Sequence, residues 1–251
     1  VHTDAGAASP TVPKAGDSTL KTIGLIGGMS WESTAVYYRL LNEMAREALG
    51  GLHSAELVLW SFDFAAIETL QDRADWAAAA ARMIEAARAV EAGGAQCVVI
   101  CTNTMHRVAD EVQAAVRIPL IHIADATARA VIAARVRRPL LLATRYTMEQ
   151  DFYIGRLRGR HRIAVHVPDE EDRFAMHRII YDELCRGLVL PASRTRCREI
   201  VDGARAAGAD GVILGCTEVG MLLSQADFDI PVFDSTALHA RAAMAFALDE
   251  Q

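Results

Sequence analysis

The feature that most constrains this chain is that its sequence runs through one pattern twice. Cys101 closes the apolar run Val98-Val99-Ile100 and is followed by Thr102-Asn103-Thr104. Cys216 closes Val212-Ile213-Leu214-Gly215 and is followed by Thr217-Glu218. The two cysteines stand 115 positions apart, Gly27 and Ala143 116 apart, and Ile118-Pro119 and Ile230-Pro231 112 apart. Three signals in the same order at nearly one spacing point to an internal duplication. Short apolar runs alternating with helical periodicity predict parallel strands covered by helices. The expected fold is therefore α/β: two pseudo-symmetric parallel-sheet α/β domains, with the site in the cleft where the carboxyl ends of their strands meet. The expected boundaries are a disordered tail over 1–19, a first domain over 20–120 plus 235–251, and a second over 121–234.

Strands are expected at Thr22–Gly28, Leu57–Trp60, the Cys101 run, Pro119–Ile123, Pro139–Thr144, Ile163–Val167, the Cys216 run and Pro231–Asp234. Ser30 and Ser33 read as caps of a helix whose buried face is Val36, Leu40, Leu41 and Met44. A long helix through Trp76, Met83, Ala87 and Val90 ends at Gly93-Gly94. Further helices are expected from about Thr104, over Ala128–Ala134 with Asp125 as cap, near Thr147, over 173–186 and 192–206, and from about Thr236.

Composition excludes several function classes. With 52% hydrophobic and 23% charged residues, 251 in all, the chain reads as a soluble globular protein. A net charge of −6 and the lack of a basic stripe argue against nucleic acid as a partner. No apolar run has the length of a membrane span, and no signal peptide is evident. Five cysteines without scaffold spacing imply free thiols and a reducing, cytoplasmic location.

A cysteine between a strand and a helix sees oriented N–H groups, which favour the thiolate. Two such thiols in one cleft can take a proton from one face of a carbon and return one to the other. Thr102, Asn103, Thr104 and Thr217 add donors for a carboxylate. The competing reading is that Cys101 and Cys216 are small buried hydrophobes, as Cys97, Cys185 and Cys197 are expected to be. Glu218 can tune Cys216, accept from a substrate amine, or serve as a helix N-terminal carboxylate. No motif demands a metal or cofactor. Gly24, Gly27 and Gly28 lack the dinucleotide-binding spacing. Cys97 and Cys101, four apart on a strand, are about 13 Å apart and cannot share a zinc. His106 is expected on a solvated turn.

With these residues in view, the chain resembles the aspartate/glutamate racemase superfamily, and most closely its broad-specificity amino-acid racemase branch. The carriers are Ile23-Gly24-Leu25-Ile26-Gly27-Gly28-Met29-Ser30-Trp31-Glu32-Ser33, Cys101-Thr102-Asn103-Thr104-Met105-His106, His122-Ile123-Ala124-Asp125-Ala126-Thr127, Thr144-Arg145-Tyr146-Thr147-Met148-Glu149-Gln150 and Gly215-Cys216-Thr217-Glu218. The resemblance implies a cofactor-independent, two-base mechanism with Cys101 and Cys216 as opposed acid and base. It also implies a homodimer and a pocket for an amino-acid substrate lined by Met29, Gln71, Thr102, Asn103, Thr104, Thr144 and Thr217. Members selective for acidic substrates resemble one another in an Arg after the second strand and a Lys in the second half. Here Ser61–Gln71 holds neither, and Ala175 or Met176 stands where the Lys is expected. The expected range is therefore neutral or mixed, with homoserine and other small polar amino acids included. The alternatives are an aspartate- or glutamate-selective racemase, a hydantoin racemase or maleate isomerase, and a catalytically silent small-molecule binder. Arylmalonate decarboxylases work with one cysteine and fit the pair less well.

Overall fold

The computed structural model describes residues 20–249, and the tail expected over 1–19 lies outside the described residues. Two three-stranded parallel sheets form. In the first, β1 (Ile23–Gly27) lies between β2 (Leu57–Ser61) and β3 (Cys97–Ile100); in the second, β5 (Gly211–Leu214) lies between β4 (Pro139–Leu142) and β6 (Val232–Asp234). One bridge extends each sheet, Leu120 to Val98 and His166 to Leu140. Counting these as fourth strands, both sheets run in the chain order second, first, third, fourth. The duplication expected from the sequence is thus present in the topology.

The helices are α1 (Trp31–Leu49), α2 (Phe64–Asp72), α3 (Trp76–Ala92), α4 (Ala109–Ala115), α5 (Ile123–Ala133), α6 (Arg145–Glu149), α7 (Asp151–His161), α8 (Glu170–Arg178), α9 (Pro191–Ala206), α10 (Val219–Leu222) and α11 (Ser235–Ala247). Each sheet with its helices forms a lobe. Strand side chains alternate between faces. In the first lobe Ile23, Leu25, Cys97, Val99 and Cys101 pack with α1 and α11, whereas Ile26, Val98 and Ile100 pack with α3. The register sets Ile26 beside Ile100 and Trp60, so the turns after all three strands gather at one edge. In the second lobe Leu142 lies beside Leu214, which does the same for the turns after β4 and β5.

Several local expectations change for identifiable reasons. The strand expected over Pro119–Ile123 shrinks to its bridge because the His122 ring accepts from Ala124 N and starts α5 there. Asp125, expected as the cap, lies in the first turn of α5 and binds Arg156 and His161 instead. On α1, capped by Ser30, the buried stripe is Ser33, Thr34, Tyr37, Leu41 and Ala45. Val36, Leu40 and Met44 flank it, half-buried. Tyr37 fixes that rotation by donating to His239 Nδ1 on α11 at 2.8 Å. Gly28, with φ of 82°, makes the turn after β1 possible, since a Cβ there would sit 2.2 Å from the Phe62 carbonyl oxygen.

Three buried histidines stand where the lobes join. His106 lies 4.6 Å from His122 and 5.5 Å from His239 between ring centroids. His106 Nδ1 donates to the Thr102 carbonyl while Nε2 accepts from Ile123 N, so the solvated turn expected for it is a closed internal hydrogen-bonded site. Burial pushes His122 down to about 3, helped by Arg156, and burial pushes His239 down to about 4. Both are therefore neutral when folded and protonate first in the unfolded chain, below about 6.5. Their contribution is intact above that value and is lost as pH falls from it toward the folded values. At pH 5 the two together cost about 4 kcal/mol relative to pH 7. Calorimetry is expected to find the thermal midpoint about 10 °C lower at pH 5 than at pH 7. An unchanged midpoint would show that the pair is already protonated in the fold.

Candidate active site

The gathered turns of the two lobes face each other across a cleft. Its walls come from both: Met29, Phe64, Gln71, Thr102, Asn103 and Thr104 from the first, and Thr144, Ile180, Tyr181, Cys185, Gly215, Cys216, Thr217 and Glu218 from the second. Nine of the ten residues expected at a site from the sequence therefore line one cavity. The tenth, Cys101, lies behind it. The cavity holds about 20 Å³, room for about one water molecule, so the lobes are closed upon each other.

Glu218 organises the second-lobe side. It is buried, and hydroxyls from the start of α1 reach across to it. Ser30 Oγ donates to Oε1 at 2.7 Å and Ser33 Oγ to Oε1 at 2.6 Å. Thr217 Oγ1 donates to Oε2 at 2.7 Å, and the Cys216 thiol donates to the same oxygen at 2.9 Å. A carboxylate accepts such bonds through about four lone-pair positions, and charge-assisted bonds are the strong ones. The Ser33 and Thr217 hydroxyls, one from each lobe, meet beside the carboxylate they both serve. Cys216 sits two residues beyond β5 because Gly215 lets the chain pass close over the sheet; a Cβ there would stand 2.6 Å from Leu141 Cδ1. Ala143 is fully buried and packs against that glycine.

The two thiols are not equivalent. Burial pushes the Cys216 thiol well up, and the Glu218 charge pushes it further. Cys101, the first residue past β3, keeps the alternation of Cys97 and Val99 and points into the core shared with α1 and α11. It is fully buried, its nearest polar partner is the Val99 carbonyl at 3.8 Å, and burial alone raises its pKa. The thiolate-favouring helix ends expected from the sequence are absent. A 3-10 turn, Thr104–Val108, follows Cys101, and α10 after Cys216 has four residues. Neither sums enough aligned peptide dipoles to offset burial.

The remaining residues fall into place around this core. Thr104 and Thr144 hydroxyls meet across the cleft at 3.2 Å. Thr144 also caps α6 through Thr147 N. Asn103 Nδ2 donates to Ser235 Oγ, which in turn donates to the Leu214 carbonyl, tying the Cys101 loop to the end of β5. Among the described residues, Asn103 Oδ1 is buried with no hydrogen-bond partner. Gln71 is buried on α2, a segment for which the sequence predicted no helix, although Asp63 caps it as Asp75 caps α3. Cys185, expected to be structural, lines the cleft, as do Ile180, Tyr181 and Phe64, none of which the sequence reading singled out. Met176, expected near the substrate side chain, lies instead in the core against Cys197.

Comparison with known proteins places this arrangement. The model of a family described as Asp/Glu/hydantoin racemase matches residues 26–243. A candidate Asp/Glu racemase from Yersinia pestis is 50% identical, covering 91% of this chain and 100% of its own, with a TM-score of 0.85. An aspartate racemase homologue from Pyrococcus horikoshii OT3 is 36% identical, covering 91% and 99%, with a TM-score of 0.79. An aspartate racemase from Picrophilus torridus, 22% identical over 90% and 94% at a TM-score of 0.72, shares the fold. With two matching lobes, a Cys-Thr turn from each at one cleft, and a family match spanning both, the chain belongs to the Asp/Glu/hydantoin racemase family.

Proposed function

We propose that this protein is a cofactor-independent racemase that interconverts L- and D-amino acids, without pyridoxal phosphate, by two-base proton transfer at Cα. In this reading Cys101 and Cys216 are the two acid/base groups, and the range is broad and includes neutral polar amino acids such as homoserine. The observation that carries it is the Cys216 thiol held 2.9 Å from a buried carboxylate in a cleft whose other wall is the Cys101 loop. Family membership and the two relatives above 30% identity support the same chemistry.

The cavity is smaller than any amino acid, so the lobes part to admit substrate and close around it. Glu218 and the unpartnered Asn103 Oδ1 are acceptors for the α-ammonium group. Hydroxyls of Thr102, Thr104, Thr144 and Thr217 are donors for the α-carboxylate, where charge builds as the Cα proton leaves. When Cys216 takes the proton, Cys101, whose thiol turns out of the α1 and α11 core onto the cleft wall as the lobes re-close on substrate, donates its own to the opposite face; in the reverse direction the roles exchange. Glu218 accepts the Cys216 proton when that thiol must act as base. A homodimer working in the cytoplasm is part of the proposal.

The test is a panel of L- and D-amino acids incubated with the enzyme in D2O, read by chiral chromatography and mass spectrometry. Formation of the antipode with deuterium at Cα is expected for at least homoserine. Absence of Cα exchange across the whole panel would leave a binder and end the racemase reading.

A further inference from the structure

Between α8 and α9 the chain changes its winding. After Arg178 it makes one turn of π-helix, Ile179–Glu183, then a 3-10 turn, Leu184–Arg186, and stops on Gly187 at a φ of 74°. A π turn holds an extra residue and so shifts which side chains face a neighbour, a feature that recurs at functional sites. Here Ile180, Tyr181 and Cys185 line the cleft. Tyr181 reaches the opposite lobe. Its hydroxyl donates to Gln71 Oε1 at 3.2 Å, and its ring stacks on Phe64 with centroids 6.4 Å apart.

This contact is held by bonds that a ligand oxygen can improve. The Tyr181–Gln71 bond is long for an O–H donor. Gln71 Nε2 spends a proton on the Met105 thioether at 3.2 Å, and a thioether is a weak acceptor. Among the described residues the cleft lining contains no Arg, Lys or His, and its one carboxyl group is Glu218. A second carboxylate brought here has no cation to meet and lies in a closed site with a like charge. A neutral hydroxyl or carboxamide finds both a donor and an acceptor.

We propose that Tyr181 and Gln71 together read the substrate side chain, selecting neutral amino acids that carry a hydroxyl or carboxamide beyond Cβ and rejecting acidic ones. This rests on the racemase reading above. The side-chain oxygen accepts the Gln71 Nε2–H hydrogen bond in place of the Met105 thioether and shares the Tyr181 hydroxyl. The π turn is what carries Tyr181 far enough across the cleft to form the pair. Sites built to hydrogen-bond a side chain discriminate strongly against isosteres that lack the polar group.

The test compares isosteres: kcat/KM for L-homoserine against L-norvaline, and for L-asparagine against L-aspartate, measured on the whole chain. The wild type is expected to favour homoserine and asparagine. Tyr181→Phe, which removes one oxygen, is expected to lower the homoserine-to-norvaline ratio about tenfold, mainly through KM. Gln71→Arg, which supplies the missing cation, is expected to raise aspartate relative to asparagine by at least about tenfold. Wild-type preference for aspartate, or ratios unmoved by either substitution, would overturn the inference while leaving the racemase standing. No Cα exchange with any of the four while other amino acids exchange would overturn it too; no exchange across the whole panel would instead sink the racemase reading on which it rests.

Discussion

Cys216→Ser is expected to stop racemisation in both directions, with kcat lowered by about 10³-fold or more, while the fold survives. A serine hydroxyl fits the space and can still donate to Glu218, so the buried carboxylate keeps its partners. The hydroxyl does not ionise in the working range, so the second-lobe base is lost; general acid–base groups are worth about 10²–10⁴ in rate. Cys101→Ser is expected to fail equally. The informative residue of activity is one-sided. With one thiol left, the enantiomer whose Cα proton faces it can still exchange with solvent without inverting, and the two variants should exchange opposite enantiomers. Circular dichroism and a thermal midpoint on each variant separate loss of chemistry from loss of fold. Inversion that continues in either single variant is incompatible with opposed thiols.

The second large effect is expected at Glu218. Glu218→Gln keeps the volume and one carbonyl acceptor for Ser30 and Ser33, but places an NH₂ where Oε2 accepts from Thr217 and Cys216. The Cys216 proton then has no carboxylate to move to, and kcat near neutral pH should fall about 10²-fold. The pH profile gives the sharper reading. Burial, then the Glu218 charge, raises the Cys216 thiol. Removing the charge while keeping the burial lowers it, so the rise of kcat with pH should begin at lower pH in the variant than in the wild type. A purely structural clamp would reduce activity and leave that limb in place. A limb that stays, or moves to higher pH, would show that Glu218 does not act through the thiol.

What the sequence made legible follows from what repeats in it. Two Cys-Thr strand ends at one spacing are enough to imply two matched sheets, because a strand that ends where a helix begins has few ways to sit in a parallel α/β unit. Nine of the ten expected site residues line the cleft: those beside the two cysteines follow from the repeat, whereas Met29, Gln71 and Thr144 were expected there through the family resemblance. What was missed depends on direction and winding, which a spacing count does not carry. Cys101 turns to the α1 and α11 face by the alternation of β3, so it lies behind the cavity wall rather than on it. That alternation could have been read from Cys97 and Val99. Tyr181 on a π turn and Cys185 on the 3-10 turn after it enter the cleft through windings that leave no helical-period mark. The short helix α2 had a readable start in Asp63, but only Ile67 and Gln71 are buried on it, too few to mark a helical period. His106 and His239 are each held by a main-chain partner from another segment, Ile123 N and the Ile121 carbonyl, which no local pattern announces.

The central claim is that a proton leaves one face of Cα to one thiol and a different proton arrives on the other face from the second. Racemisation of a single enantiomer of homoserine in D2O, sampled within the first few per cent of conversion, tests it most directly. The account predicts deuterium at Cα in nearly all of the newly formed enantiomer and almost none in the recovered substrate. Equal deuterium in both enantiomers at that stage, or a product that keeps the original protium, would mean one base serves both faces and would contradict it.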